Sequence, residues 1–319
     1  MLQYAHYIII MDGKDMHTRA GSKFVTVITL LAALLILAAV VFLLVTRPGK
    51  KEADPHEGQV YINDGFGMVW ITPHENVPVS TLREEDISFG GRWPAYVGTE
   101  YDVRYGVDVS EHQWDIDWPL VKAAGVDFAF VRLGYRGFTE GGLFTDPYFD
   151  KNVTSARKSD IDVGVYFFSQ ALSVQEALEE AQYVIDALKY YDINMPVVYD
   201  WEKIESDTAV RTDGMDSTIL TDCAVAFCQT LENAGYDACV YFNRHFGYYE
   251  FDLSRLTNYQ FWAALPDSFP DFYYRFDFWQ YSFTCDVPGI EGPTDMNMQF
   301  IPRQLPDAQN EAASAAKSK

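Results

Sequence analysis

Two carboxylates one residue apart, Asp200 and Glu202, close the apolar run Pro196-Val197-Val198-Tyr199-Asp200-Trp201-Glu202. If the run is a β-strand, alternation turns both acids to one face and Tyr199 and Trp201 to the other. The acids then share one small volume. Like charges held that close raise one pKa, so that one acid stays protonated beside an ionised neighbour. Cleavage of a glycosidic bond needs such a pair. Taken alone, two acids at a strand end are more often simply hydrated, so the chemistry depends on what other segments bring to the same place.

Composition narrows the classes. With 319 residues, 48% hydrophobic and 16% aromatic, the chain can bury a large core. Residues 1 to 51 hold six basic and two acidic residues of totals of 24 and 46, so the remainder carries 18 and 44, a net of −26. A domain that acidic repels phosphate backbones, and no nucleic-acid partner is expected. The four cysteines (Cys223, Cys228, Cys239, Cys285) have no C-x-x-C spacing, and the six histidines are scattered. Neither a metal site nor a cofactor is signalled, and the cysteines read as small core residues. Outside the cell a pair such as Cys239 and Cys285 could join. No G-x-S-x-G, H-E-x-x-H or phosphate loop appears.

The elements that must position the acids alternate in type. Residues 24-45 are an uncharged run of 22 residues, expected to span a membrane as an uncleaved anchor after an N-terminal tail, 1-23. Its flanks are balanced, with Lys14, Arg19 and Lys23 before it and Arg47, Lys50 and Lys51 after. Charge alone therefore leaves the orientation open. Residues 46-103 read as a short β-containing stalk, with a hairpin around Asn63-Asp64-Gly65. From Arg104, strands are expected at 105–109, 128–133, 163–169, 196–202, 238–243, 260–265, 276–281 and 295–300. Helices fall between the earlier ones. Asp117 caps a helix with Pro119 in its first turn, Asp146-Pro147 opens another, Ser173 and Glu176 form a capping box, and Gly235 ends a fourth. Eight such strands predict an α/β fold, an irregular (β/α) TIM-like barrel over 104-301 with a parallel sheet and few helices in its last units. A disordered tail is expected at 302-319.

Barrels of this kind carry reactive groups at strand ends. Asp108 ends the first strand, Asp200 and Glu202 the fourth, and Asp295 lies near the last. Strands one and eight are neighbours in a closed barrel, so four carboxylates would converge on one cleft.

These segments resemble the glycoside hydrolase family 25 lysozymes, the Chalaropsis-type muramidases. The resemblance covers about 200 residues. It rests on Gly106-Val107-Asp108-Val109-Ser110 with Gln113 and Ile116-Asp117-Trp118, then Val131-Arg132-Leu133-Gly134-Tyr135, Gly164-Val165-Tyr166, Asp200-Trp201-Glu202, Trp279-Gln280-Tyr281 and Asp295-Met296-Asn297. It implies hydrolysis of the β-1,4 bond between N-acetylmuramic acid and N-acetylglucosamine in peptidoglycan glycan strands, outside the cytoplasmic membrane. By similarity Glu202 would protonate the leaving oxygen, Asp200 would steady the cationic transition state or orient the acetamido group, and Asp108 and Asp295 would shape charge around them. Tyr135, Tyr166, Trp279 and Tyr281 would line the sugar groove, and Arg132 would partner one cleft carboxylate. Retention and inversion both stay open at this spacing. Two positions depart from the family's habit: Trp114 follows Gln113 where Gly is common, and Trp201 separates the acids where an aliphatic residue is usual. The competing readings are a non-catalytic wall-binding protein on the same fold and a glycosidase for another polysaccharide.

Overall fold

The structure, a computed structural model, describes residues 14–46, 54–266 and 268–303. It divides into two compact units, Met1–Glu57 and Gly58–Lys319. In the first, helix α1 (Lys14–Val45) contains Phe24–Val45, 22 residues of mean hydropathy 3.2, long and apolar enough to cross a membrane. Residues 1–13 of the expected tail, the basic flank Arg47, Lys50 and Lys51, and the expected disordered tail beyond Arg303 lie outside the described residues.

The second unit is built on a closed eight-stranded barrel. In chain order its strands and helices are β5 (Tyr101–Val109), α2 (Trp118–Ala123), β6 (Phe128–Arg136), α3 (Phe149–Lys158), β8 (Asp162–Ser169), α4 (Val174–Leu188), β9 (Val197–Trp201), α5 (Ser217–Asn233), β10 (Ala238–Asn243), β11 (Gln260–Ala264), β12 (Phe278–Cys285) and β13 (Thr294–Pro302). A short strand β7 (Leu143–Thr145) pairs with the end of β6 outside the ring. Asp117 and Ser173 cap α2 and α4 as their side chains predict, accepting from the N–H groups of Leu120 and Glu176. The second unit's four α-helices all lie between β5 and β10; β11 is reached through a short π-helical turn (Phe246–Glu250) and a 3₁₀ turn (Leu253–Arg255), and among the described residues no α-helix joins the later strands.

The expected parallel sheet holds for seven strands and fails at the eighth. β13 runs antiparallel to both β12 and β5, and it closes the ring. Only eight residues separate β12 from β13. A parallel crossover needs a dozen or more, whereas an antiparallel return needs only a turn.

Side chains pointing into the barrel form their own layer. Phe128, Phe130, Val198, Cys239, Tyr241, Trp262 and Phe278 are buried together there. Phe130 stacks on Trp262 with ring centroids 4.7 Å apart. The glycines of two sequence motifs make room for these rings. A Cβ on Gly106 would lie 2.2 Å from Phe128, and one on Gly164 would lie 2.6 Å from both Phe130 and the Pro196 carbonyl. The Pro196 contact is backbone and has little freedom to yield. Gly164→Ala should therefore overpack the barrel and cost about 1–3 kcal/mol, read as a lowered midpoint in chemical denaturation with an unchanged slope. On the outer face Tyr199 packs on Phe227 of α5 and Trp201 on Phe246, as the alternation along β9 requires. All four cysteines are free thiols, three of them buried.

Residues 58–103 correct the stalk expectation, because they fold against the barrel rather than standing apart from it. The hairpin β1 (Val60–Asn63) and β2 (Met68–Ile71) is tied to the loops after β10 and β11. Arg244 Nη1 donates to the Asn63 carbonyl (3.0 Å), and Asn63 Nδ2 donates to Asp271 Oδ2 (3.1 Å). Further on, the Ser80 N–H bonds the Tyr273 carbonyl (2.9 Å) and Val79 bridges Tyr274. A second small pair, β3 (Ile87–Ser88) with β4 (Ala95–Tyr96), follows; its Tyr96 packs edge-on against Phe300 of β13. The spacer-like composition did not reveal these contacts because they come from isolated polar side chains, backbone groups and a few scattered apolar residues such as Val77 and Ile87 rather than from a periodic face.

Candidate active site

Asp108 is the eighth residue of β5, Asp200 the fourth of β9, and Glu202 the first residue after it. Asp295 is the second residue of β13, and the reversal of that strand decides its position. In a parallel barrel the start of a strand lies at the far end from the mouth. Here the start of β13 lies beside the end of β5, and Asp295 pairs in register with Asp108. All four acids line one cavity of about 210 Å³, together with Arg132, Tyr166, Tyr241, Trp262 and Gln280.

Two buried amides hold Asp108. Gln280 Nε2 and Asn297 Nδ2 donate to its Oδ2 at 2.9 and 2.8 Å. Each amide is oriented from behind, because Tyr241 Oη donates to Gln280 Oε1 (2.8 Å) and Trp262 Nε1 donates to Asn297 Oδ1 (2.8 Å). With both carbonyl oxygens so occupied, only the NH₂ groups can face the carboxylate. Burial pushes Asp108 above the ordinary carboxylate range, and these donors, with a hydrogen bond shared with Asp295, pull it back. Asp295 is pushed to about 8, first by burial and then by the charge of Asp108 and the bond between them.

Glu202 is also raised, to about 7, by burial and then by the charge of Asp108. Its place is set by its backbone, since its carbonyl accepts from Gln170 Nε2 (2.8 Å), and Thr212 Oγ1 orients that amide (2.9 Å). Asp200 is driven well above its usual value by burial, then by Glu202 and Asp108, with Arg132 opposing. Its Oδ1 is buried and has no hydrogen-bond partner among the described residues. A buried acceptor left open is costly, and a ligand donor entering the cavity would satisfy it.

The remaining expected site residues divide. Tyr166 lines the cavity. Arg132 also does, yet its hydrogen-bonded partners are not the four acids: Nε donates to Asp146 (2.7 Å) and Nη2 to Glu111 (2.9 Å). It reaches Asp200 only through its field. Tyr135 stacks on Phe144 of β7 outside the cavity lining. Trp279 and Tyr281 are corrected: both are buried in the layer outside the barrel, with Trp279 Nε1 donating to the Leu265 carbonyl (2.9 Å). Alternation had the opposite phase there, so Gln280, the residue between them, points inward. A polar residue between two aromatics was the available signal. Tyr241 and Trp262 were missed because, in strands apolar on both faces, nothing local distinguishes inside from outside.

Trp114 takes φ 46°, ψ −126° and is 58% exposed. Glycine adopts that conformation freely and other residues do so at a cost. The departure noted in the sequence is thus a tryptophan held in a glycine-like turn, one residue beyond cavity-lining Gln113.

With this geometry in hand, comparisons with known proteins identify the lineage. The family model described as glycosyl hydrolases family 25 matches residues 107–290. Lysozyme M1 of Streptomyces globisporus is 27% identical over 206 residues, 60% of this chain and 66% of that protein. The autolytic lysozyme of Clostridium acetobutylicum is 24% identical over 194 residues, 60% of this chain and 54% of the relative. This chain therefore matches just under two thirds of the first and about half of the second. Among solved structures, the modular autolysin LytC from Streptococcus pneumoniae, in complex with a synthetic peptidoglycan ligand, aligns with TM-score 0.56 at 25% identity, covering 76% of this chain and 56% of that one. The family match runs over more than half of the 319 residues and includes Asp108, Asp200 and Glu202, and this chain belongs to glycosyl hydrolases family 25.

Proposed function

We propose that this chain hydrolyses peptidoglycan, cutting the β-1,4 bond between N-acetylmuramic acid and N-acetylglucosamine. The observation that carries the reading is the ring of four carboxylates at one barrel mouth, with Glu202 raised to about 7. An acid so tuned keeps its proton near neutral pH and can deliver it to the leaving oxygen. Once Glu202 holds that proton, one of the two charges that raise Asp200 is gone, and Asp200 can face the positive charge developing on the sugar ring. Its open Oδ1 suits the acetamido N–H of the same sugar. Asp108, clamped by Gln280 and Asn297, supplies the negative field that raises Glu202 and Asp295. Two relatives named as lysozymes support the substrate class.

The domain reading is part of the proposal. Residues 104-301 carry the chemistry, and residues 24-45 anchor the chain in the cytoplasmic membrane with the barrel on the outer side, where its substrate lies. The apolar helix supports this arrangement. The test is product analysis: full-length protein in detergent, incubated with purified peptidoglycan, should release reducing ends that become muramitol on borohydride reduction. Glucosaminitol in its place would overturn the bond assignment, and no release at all would overturn the hydrolase reading.

A further inference from the structure

A second cavity, of about 640 Å³, opens against the other side of Glu202. Its lining includes apolar Phe66, Met215 and Phe246, the ammonium of Lys203, the imidazole of His245, and Glu202 itself. Glu202 lines both cavities, so a ligand in the second would lie beside the proton donor of the first.

Phe66 comes from the turn between β1 and β2, outside the stretch that matches the family model. It is 89% exposed, and among the described residues its one aromatic-ring contact is an edge-on approach to His245 at 6.4 Å. The turn carrying it is nonetheless anchored from several directions. Asp64 Oδ1 accepts from the N–H groups of Phe66 (2.9 Å) and Gly67 (3.0 Å), and Tyr249 Oη donates to Asp64 Oδ2 (3.0 Å). Arg244 grips the Asn63 carbonyl and pairs with Asp271, which also accepts from Asn63 Nδ2. Gly65 sits at φ 96°, where a side chain would be strained and its Cβ would lie 3.3 Å from Arg244. The Phe66 N–H is the largest of the influences holding Asp64 below its usual pKa, which keeps the clamp anionic. Such anchoring of an aromatic ring that packs on almost nothing is expected of a ligand contact rather than of a core residue.

The charges name the ligand. Lys203 faces Glu205 at 3.9 Å and His245 faces Glu250 at 3.4 Å, all four at the wall of the same cavity. A glycan offers hydroxyls and neutral amides, which do not call for ionic groups of both signs. A peptide stem offers carboxylates, an amino group and alanine methyls, and it hangs from the muramic acid next to the scissile bond. We infer that the hairpin turn bearing Phe66 and the Lys203 and His245 loops form a binding site for the peptide stem of peptidoglycan. The inference rests on the substrate reading above.

Calorimetry on the full chain in detergent, with the disaccharide GlcNAc-MurNAc bare or carrying its tetrapeptide, tests the site. The peptide-bearing ligand should bind roughly tenfold more tightly than the bare one, a ratio within reach of one buried aromatic face and its ionic neighbours. Phe66→Ala should remove most of that ratio, and Phe66→Tyr should keep it. Since Phe66 is exposed, the variants fold. A ratio near one in the unaltered chain, or a ratio that survives Phe66→Ala, overturns the inference. Binding is read without turnover, so the two readings fail separately. A Phe66-dependent preference without cleavage of peptidoglycan sinks the hydrolase reading alone, and cleavage without that preference sinks the stem site alone.

Discussion

Glu202→Gln should lower kcat on peptidoglycan by about 10³-fold, the scale of a lost general acid, while KM changes little. Glutamine keeps the shape and the backbone bond to Gln170 but carries no proton to give. Burial and the charge of Asp108 push Glu202 to about 7. The sign follows: the acid form, which is the active one, persists below that value and is lost above it. The rate should therefore fall as pH rises through about 7, and the residual rate of Glu202→Gln should lack that limb. An aryl glycoside with a good leaving group needs no protonation, so the variant should recover most of its rate on such a substrate. A rate still rising between pH 7 and 9 in the unaltered enzyme, or no recovery with the aryl glycoside, would remove Glu202 from the donor role.

Asp200→Asn should also be severe, about 10²–10³-fold in kcat, on the scale of losing one preorganised electrostatic contact in a closed site. Its signature differs. Asparagine cannot face a developing positive charge with a negative one, and leaving-group quality does not alter that need, so an activated aryl glycoside should leave the defect in place. The fold should hold, because the substitution removes a buried carboxyl that burial, Glu202 and Asp108 already disfavour as an anion. A thermal midpoint at pH 8 equal to or above that of the unaltered chain would confirm that the loss is catalytic. Recovery on the aryl substrate equal to that of Glu202→Gln would instead make Asp200 part of the proton path.

The tests concern residues that the sequence and the fold reveal to different degrees. Strand alternation is local, so Asp200 and Glu202 could be placed on one face, and Tyr199 and Trp201 on the other, from the sequence alone. The capping side chains Asp117 and Ser173 act within one turn and were equally legible. The glycines of the first and third strand motifs were visible as residues, but their purpose was not. They clear space for Phe128 and Phe130, which both arrive from β6, the strand between them. The family resemblance sent Trp279 and Tyr281 to the cavity, whereas alternation along β12 buries both outside the barrel and turns Gln280 inward. Arg132 was expected to pair with a cleft carboxylate; Asp146 and Glu111 meet it instead, through folds of the chain that no spacing announces.

The four acids, the approximate eight strands, the apolar N-terminal helix and the family resemblance could all be read from the chain alone, because each is written in residue type and short-range periodicity. The three-dimensional packing alone shows that β13 runs backward and so brings Asp295 beside Asp108, that Gln280 and Asn297 clamp Asp108, and that the 58–103 segment docks and sets Phe66 on the wall of a cavity that Glu202 also lines. Strand direction and docking depend on long-range closure and on scattered contacts between distant segments, and neither leaves a periodic trace in the chain.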